Sequence, residues 1–407
     1  MPEAVIVAAA RTPIGRAVKG SLAGVRPDDL TVGVVRAVLD QVPALDPASL
    51  DDLYVGCAEP RDEHGGNLAR RVAVQLGLDG VPAATVNRFC ASSLQTARMA
   101  FHAIRAGEGD AFVSAGVECV SRYRGFGSAG VDTPESHHPD FAAAGQRTQE
   151  TARSNARWRD PRRDGELPDV YLAMGQTAEN VAGLRGISRR EQDEFGVRSQ
   201  QRAERAIADG VFQAEIAPVR LADGSVVRTD DGPRPGVTLE GVSGLKPAFR
   251  ADGTVTAANC CPLNDGAAAV VVLSSTRAAE LGLTPLARIV ATGVSALSPE
   301  IMGLGPVEAS RRALARAGMR MADIGLVEIN EAFAVQVIAC QRDLGIDPER
   351  LNVHGGAIAL GHPFGATGAR ILTTLLNAMT RRDATFGLET MCVGGGQGMA
   401  MIVERLS

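Results

Sequence analysis

Two cysteines occupy positions where a thiol can react rather than fill a core. Cys90 lies in the segment 86–95 (VNRFCASSLQ), between a predicted strand and a predicted helix. The dipole and free N–H groups of a helix N-terminus favour the thiolate, which is the nucleophilic form. Cys392 precedes the glycine-rich stretch 394–398, and a thiol there could transfer a proton as acid or base. The alternative for each cysteine alone is a buried structural thiol.

A second glycine-rich segment, 352–368 (NVHGGAIALGHPFGATG), contains His354 and His362. Glycine lets the backbone approach a ligand closely, and a histidine directly before proline is held in an extended or turn conformation. His362 is therefore a candidate base for a thiol, and an incidental histidine in a tight turn is the alternative. Asn330 follows the predicted strand 325–329 and is predicted to cap the next helix.

Composition excludes several classes of function. The chain has 407 residues, 45% of them apolar, which predicts a globular enzyme of two or three structural units. A net charge of −5 gives no general attraction to nucleic acid or to an anionic membrane. Lys19 and Lys246 are the only lysines, and neither lies in an apolar segment, which argues against Schiff-base catalysis.

The seven cysteines include no C-x-x-C pair, so they predict free thiols in a reducing compartment and no metal site. The apolar run 4–10 follows Glu3 and is too short to span a bilayer. It predicts a first strand rather than a signal peptide, and hence a cytoplasmic protein without membrane association.

Short apolar strands alternate with amphipathic helices, which predicts an α/β fold. The region 121–250 breaks this alternation and contains one clear helix, 188–210, so we interpret it as an insertion that contacts ligand. The segments on either side of it repeat, which indicates a duplicated unit. The first copy comprises 52–56, 86–87 and 111–116, and the second comprises 323–328, 351–352 and 385–390.

Taken together and in this order, these segments resemble the thiolase family. Further similar segments are RTPIG (11–15), MGQTAEN (174–180), GTVT (253–256) and LNDGA (263–267). The resemblance implies a thiolase fold, with two duplicated α/β halves in a layered αβαβα arrangement and an inserted loop domain. The implied boundaries are 1–120 completed by 250–275 for the first half, 121–249 for the loop domain, and 276–407 for the second half.

The resemblance also implies a mechanism. Cys90, deprotonated by His362, would accept an acyl group, and Cys392 would move the proton at the α-carbon of acetyl-CoA. One oxyanion hole would combine His362 with a water held by Asn330, and the other would use the N–H groups of Cys90 and Gly394. Coenzyme A would be a substrate, with no tightly bound cofactor and no metal, in a homodimer or homotetramer. The implied substrate contacts are Met174, Arg234, Phe249, Ala257, Cys261, Ala332, Phe333 and His354.

Four positions depart from the family pattern: Ser93 replaces a common glycine, Ala173 a common histidine, and Cys260 and Cys261 small residues that are often serine. Ala173 predicts that 3-oxoacyl-CoA esters longer than acetoacetyl-CoA are accepted, unless Phe364 closes the same space. Two alternatives stay open at this point. One is a condensing enzyme like the ketoacyl synthases, and the other is a non-catalytic acyl-CoA or lipid-binding protein on the same fold.

Overall fold

The computed structural model describes residues 2–123, 137–154 and 156–407, so residues 124–136 of the predicted insertion lie outside the described residues. The strands are β1 Ala4–Arg11, β2 Gly15–Arg16, β3 Asp52–Gly56, β4 Ala83–Val86, β5 Ala111–Cys119, β6 Val219–Arg220, β7 Val226–Val227, β8 Asn264–Ser274, β9 Ala287–Ala296, β10 Leu326–Ile329, β11 Phe386–Val393 and β12 Gln397–Arg405. The helices are α1 Pro27–Asp40, α2 Leu68–Gln75, α3 Ser92–Ala106, α4 Ala142–Ser154, α5 Met174–Arg185, α6 Arg189–Ala208, α7 Leu239–Ser243, α8 Ser275–Glu280, α9 Gly305–Ala317, α10 Ala334–Leu344, α11 Ala357–Leu360 and α12 Thr367–Arg381.

The order and direction of the strands repeat between the two halves of the chain. In the first half β4, β3 and β5 are parallel neighbours, and β8 and then β1 join antiparallel. In the second half Leu351 bridges Val327 of β10 in parallel, β11 is parallel to β10, and β12 and then β9 join antiparallel. Since both order and direction agree, the predicted duplication is confirmed.

The side chains of two buried strands define the layers. Along β8, Val271 packs into a core with α1 and α2, whereas Val272 packs into a central core with α3 and α12. Along β12, Met401 enters the same central core, whereas Ile402 packs with α9 and α10. Because successive residues of a strand point to opposite faces, each sheet has helices on both sides. The expected αβαβα layering, with α3 and α12 in the middle, is confirmed.

The two halves are also joined by backbone hydrogen bonds. Strands β1 and β9 pair antiparallel through Val5 with Arg288 and Ile6 with Ala287. The strands from β10 to β4 therefore form one continuous hydrogen-bonded path, which the sequence repeat did not predict.

The inserted region has more regular structure than the sequence suggested. The predicted helix is present as α6, and Ser188 and Glu191 form its capping box. Helices α4, α5 and α7 were missed, because glycine and charged residues obscure their apolar periodicity. Strand β8, which follows the insertion, pairs with β5 and β1 of the first half. The boundaries 1–120, 121–249 and 276–407 stay a prediction.

Candidate active site

Cys90 lies in a tight turn between β4 and α3, and we call residues 87–91 the nucleophile turn. Asn87 Oδ1 accepts the N–H of Phe89 at 2.8 Å, and Phe89 has a positive φ of 43°. The hydroxyl of Ser92 donates to the carbonyl of Phe89 at 2.7 Å and accepts the N–H of Arg88 at 2.9 Å. Because a positive φ is unfavourable for a residue with a side chain, these bonds hold a strained backbone at the start of α3.

The surroundings of Cys90 favour the protonated thiol over the thiolate. Burial raises the pKa of Cys90 to about 12, while the N–H groups of Gly394 and of Cys90 itself lower it by a smaller amount. Burial therefore outweighs the stabilisation of the thiolate that the N–H groups at the start of α3 supply. A neighbouring base has to take the proton.

His362 is held through both ring nitrogens. Nδ1 lies 2.6 Å from Thr367 Oγ1, which lies 2.9 Å from the carbonyl oxygen of Pro363. Since a carbonyl only accepts, the hydroxyl of Thr367 donates to it and accepts from Nδ1–H. Nε2 then carries the lone pair and accepts the side-chain N–H of Asn330 at 3.2 Å. This tautomer, assigned from the hydrogen-bond network, makes Nε2 the basic nitrogen.

The imidazole is also kept neutral. Burial lowers the pKa of His362 to about 3, and the positive charge of Arg370 lowers it further. The backbone N–H of His362 donates to Asn264 Oδ1 at 2.9 Å, which fixes the start of the base turn, residues 362–366. This turn packs against the nucleophile turn, and Ser93 Oγ accepts the N–H of Ala369 in α12 at 2.9 Å. The turn that carries a neutral His362 is therefore in contact with the turn that carries a protonated Cys90.

The structure corrects the interpretation of Asn330 as a helix cap. The helix begins four residues later, at Ala334, and Phe333 is in its N-cap position. The backbone N–H of Asn330 instead donates to the carbonyl of Thr390 in β11 at 3.0 Å. Its side-chain Oδ1 is buried and has no hydrogen-bond partner within the described part of the chain. Asn330 therefore points its amide at His362 and leaves one polar atom for a further partner.

Cys392 lies within β11 rather than in the glycine turn that follows it. Strands β11 and β12 form the predicted hairpin, whose turn contains Gly395 and Gly396 with positive φ of 73° and 80°. Burial raises the pKa of the Cys392 thiol well above its usual value, and the thiols of Cys90, Cys340 and Cys261 raise it further. The Cys392 thiol is therefore close enough to the Cys90 thiol for the two to interact electrostatically.

Five of the predicted coenzyme A contacts, Met174, Phe249, Cys261, Ala332 and Phe333, form one apolar group. The ring of Phe249 meets that of Phe333 edge-on, with centroids 6.1 Å apart. Phe249 also covers Gly175, where a Cβ atom would lie 2.1 Å from the ring, and so lies next to Met174. The N–H of Cys261 donates to the carbonyl of Ala332 at 3.1 Å.

Arg234 and Ala257 lie together on the wall of a separate cavity. Arg16 lines the same cavity, and its guanidinium donates to the carbonyl of Gly232 at 3.3 Å. Two arginines there give the cavity the charge that a phosphate needs. Sequence reasoning missed Arg16, since 218 residues separate it from Arg234 and no local pattern connects them.

His354 is not brought into the catalytic group. Burial lowers the pKa of His354 to about 4, and the further charges that act on it are Arg382, Arg381, Asp209 and Arg202. Among the described residues, its buried Nε2 has no hydrogen-bond partner. These charges belong to surroundings other than those of Cys90 and Cys392.

The described residues contain neither a cluster that could hold a metal ion nor a helix that could cross a membrane. Across 2–123, 137–154 and 156–407, no group of three or more His, Cys, Asp or Glu side chains is arranged to hold a metal ion. Within the same ranges no helix has the length and apolar character needed to cross a bilayer.

Comparison with known proteins identifies the family of this chain. Models of the thiolase N-terminal and C-terminal domains match residues 4–276 and 283–405. The chain belongs to the thiolase family. It is an acyl-CoA C-acyltransferase, as the sequence predicted.

The relatives match over the full length. The 3-ketoacyl-CoA thiolase of Bacillus subtilis (strain 168) is 43% identical over 417 residues, covering 99% of this chain and 100% of the relative. That of Erwinia tasmaniensis is 44% identical and covers 100% of both chains. Among solved structures, the Bacillus anthracis acetyl-CoA acetyltransferase has a TM-score of 0.86 at 36% identity, covering 100% of this chain and 99% of that one. Human mitochondrial 3-ketoacyl-CoA thiolase has a TM-score of 0.85 at 34% identity, with the same coverage.

Proposed function

We propose that this enzyme cleaves 3-oxoacyl-CoA esters with coenzyme A, and runs the reverse condensation, through an acyl group on Cys90. The observation that carries the proposal is that the turn of a buried, neutral His362 packs against the turn of a protonated Cys90. Such a pair can transfer a proton without first forming an isolated buried charge. The names of the curated relatives, 3-ketoacyl-CoA thiolase, support the same substrate class.

In the degradative direction, His362 Nε2 takes the proton of Cys90, and the thiolate attacks the 3-oxo carbon of the substrate. The bond between C2 and C3 breaks, which leaves an acyl thioester on Cys90 and the enolate of acetyl-CoA. Cys392 protonates that enolate at C2, and acetyl-CoA leaves. The proton held by His362 then returns to the Cys392 thiolate. The thiol of a free coenzyme A gives its proton to His362 and attacks the acyl-enzyme, and the departing Cys90 thiolate takes that proton as a shortened acyl-CoA is released. Condensation is the same sequence in reverse.

Two sets of donors suit the oxygens that gain negative charge. The N–H groups of Gly394 and Cys90 already point at the thiol, so they suit the oxyanion of an adduct formed there. The second set combines protonated His362 Nε2 with Asn330, whose unsatisfied Oδ1 is suited to accept a hydrogen bond from a water.

Coenzyme A contacts are proposed for two regions. The apolar group of Met174, Phe249, Phe333, Ala332 and Cys261 suits the pantetheine arm, which must reach Cys90. The arginine-lined cavity, with Arg234 and Ala257, suits the phosphate and adenine end. A direct contact from His354 is the weakest of these assignments, given its surroundings.

The remaining proposals concern the enzyme as a whole. We propose a cytoplasmic homodimer or homotetramer that acts in fatty-acid degradation without a tightly bound cofactor. The seven cysteines are all free, which is consistent with a reducing compartment. Light scattering coupled to size exclusion would measure the oligomeric state.

The deciding experiment is thiolysis of 3-oxoacyl-CoA esters of increasing chain length. We expect acetyl-CoA and an acyl-CoA two carbons shorter as products, with the acyl group trapped on Cys90 when coenzyme A is withheld. Cys90→Ala is the matched control and should form neither product. Absence of thiolysis with every chain length would contradict the proposal.

A further inference from the structure

A buried carboxylate connects the two catalytic turns. Glu118, in β5, has no solvent exposure. Its Oε2 accepts two backbone N–H groups, each at 2.8 Å. One belongs to Ala58, which follows β3 in the first half, and the other to Gly365, within the base turn of the second half. One oxygen atom is therefore fixed to both halves of the chain.

From Ala58 the connection continues into the nucleophile turn. The carbonyl oxygen of Ala58 accepts the side-chain N–H of Asn87 at 3.0 Å. The other side-chain atom of Asn87, Oδ1, accepts the N–H of Phe89, whose positive φ is the strained point of that turn. Three consecutive hydrogen bonds thus run from Glu118 to the residue that precedes Cys90.

In the second half of the chain, the base turn packs closely against strands β3 and β5 of the first half. A Cβ atom at Gly365 would lie 2.6 Å from the carbonyl oxygen of Val117 and 2.8 Å from that of Gly56. Only glycine permits this approach, and it allows Gly365 to donate to Glu118. His362 is three residues earlier in the same turn. Its position depends on a backbone that the carboxylate holds.

We propose that Glu118 is a positioning residue for the reaction, holding the nucleophile turn and the base turn at one distance from each other. The proposal depends on the roles proposed above for Cys90 and His362. A carboxylate suits this task, because a single charged oxygen can accept two N–H groups strongly. Glu118 itself touches no substrate in this arrangement. It acts through the backbone of both turns.

The test compares Glu118→Ala with Glu118→Gln. Alanine removes both of these bonds and also those that Oε1 accepts from Tyr123, Glu59 and Cys57. We expect kcat for thiolysis to fall about a hundredfold with KM changed less than about threefold, as for catalytic groups displaced by about 1 Å. The side-chain oxygen of glutamine can still accept from Ala58 and Gly365, so kcat should recover to within about tenfold of wild type. The matched control is Glu300→Ala, because Glu300 is also a buried carboxylate that accepts a backbone N–H. Its kcat should stay within about twofold.

Alkylation of Cys90 by iodoacetamide gives a readout that needs no coenzyme A substrate. It should slow by at least about tenfold in Glu118→Ala, because the base no longer meets the thiol. Were wild type to fail in thiolysis, this rate would still test the positioning role by itself. If Glu118→Ala does not fold, Glu118→Asp decides, since its shorter side chain keeps the carboxylate but cannot reach the N–H groups of Ala58 and Gly365 together. An unchanged alkylation rate in the folded variant, or an equal loss of kcat in Glu300→Ala, would overturn the proposal.

Discussion

The nucleophile turn and the base turn occupy equivalent positions in the two halves of the fold but differ in their exposure to solvent. Each precedes a central helix, α3 or α12, in its half of the duplicated fold. The first follows β4 within a few residues and is partly open, with Phe89 40% exposed. The second is separated from the bridge at Leu351 by a longer loop and is closed, with His362 2% exposed. The duplication therefore supplies two similar positions with different access to solvent.

That difference suits the two chemical tasks. A nucleophile has to meet a large substrate, so its turn must open toward the pocket. A base near neutral pH has to stay unprotonated, and burial achieves this by lowering the pKa of His362 to about 3. Burial also raises the pKa of the Cys90 thiol to about 12, so the proton stays on sulfur until His362 removes it. Proton transfer within the pair then needs no exchange with solvent.

The largest loss of activity is expected from removing the nucleophile. Cys90→Ala should abolish thiolysis and covalent labelling by acyl-CoA while the protein stays folded, because no other thiol lies at the turn before α3. Peptide mass spectrometry after incubation with labelled acyl-CoA measures the adduct, and circular dichroism controls for folding. An adduct located on Cys261 or Cys392 of wild type would contradict the assignment.

The base should matter nearly as much. His362→Gln should slow acylation of Cys90 by about a thousandfold, within the usual range for loss of a general base. Because the pKa of His362 is lowered, the neutral pair persists as pH falls. We therefore expect alkylation of wild-type Cys90 by uncharged iodoacetamide to change less than about threefold between pH 7.5 and pH 5.5. A histidine with the ordinary pKa of about 6.5 would lose about tenfold over that interval, and such a loss would contradict a buried neutral base.

Local patterns predicted the elements that carry these turns. The strands and helices around Cys90 follow from apolar periodicity, and the hairpin after Cys392 follows from its glycines. The repeat of 52–56 and 323–328 predicted the duplicated topology, because both segments became the same strand of their half. Resemblance to one family supplied the candidate roles of Asn330 and Gly394.

What local patterns could not predict depends on contacts across the chain. Even the nearby Thr367, five residues after His362, sets the tautomer only once the base turn has folded, and in the sequence it looks like an ordinary first residue of a helix. Glu118 meets Gly365 from a position 247 residues away, inside an apolar strand. The raised pKa of Cys90 is a result of burial, which its position at a helix N-terminus does not reveal.

Cys392 should separate the two half-reactions. Cys392→Ser should reduce carbon–carbon bond cleavage and formation by about a hundredfold, because serine is a much weaker acid–base group toward carbon. Acylation of Cys90 by a simple acyl-CoA should change far less, since Cys392 does not take the thiol proton. Single-turnover acylation and steady-state condensation measure the two effects. Equal losses in both half-reactions would assign Cys392 to packing within β11.

The smallest expected effect concerns the length of the acyl chain that the enzyme accepts. Phe364 lies in the base turn, with its ring edge-on to that of His362 and centroids 5.0 Å apart. Ala173 precedes α5 and is exposed, so it leaves room where the family pattern has a histidine. Each methylene buried in that room would contribute about 0.8 kcal/mol, or about fourfold in affinity. We therefore expect kcat/KM for thiolysis of C8 and C10 substrates to equal or exceed that for C4.

Two substitutions test which side chain sets this preference. Phe364→Ala should change the C10 to C4 ratio of kcat/KM by only about threefold, because a ring already packed on His362 occupies little of the path of the chain. Ala173→His should lower that ratio by about tenfold or more, since it places a polar ring where apolar chain would lie. Stability of both variants is checked by thermal unfolding. A strong C4 preference in wild type that Phe364→Ala leaves unchanged would refute the open pocket. It would show that the space at Ala173 does not hold a longer acyl chain even when the ring of Phe364 is removed.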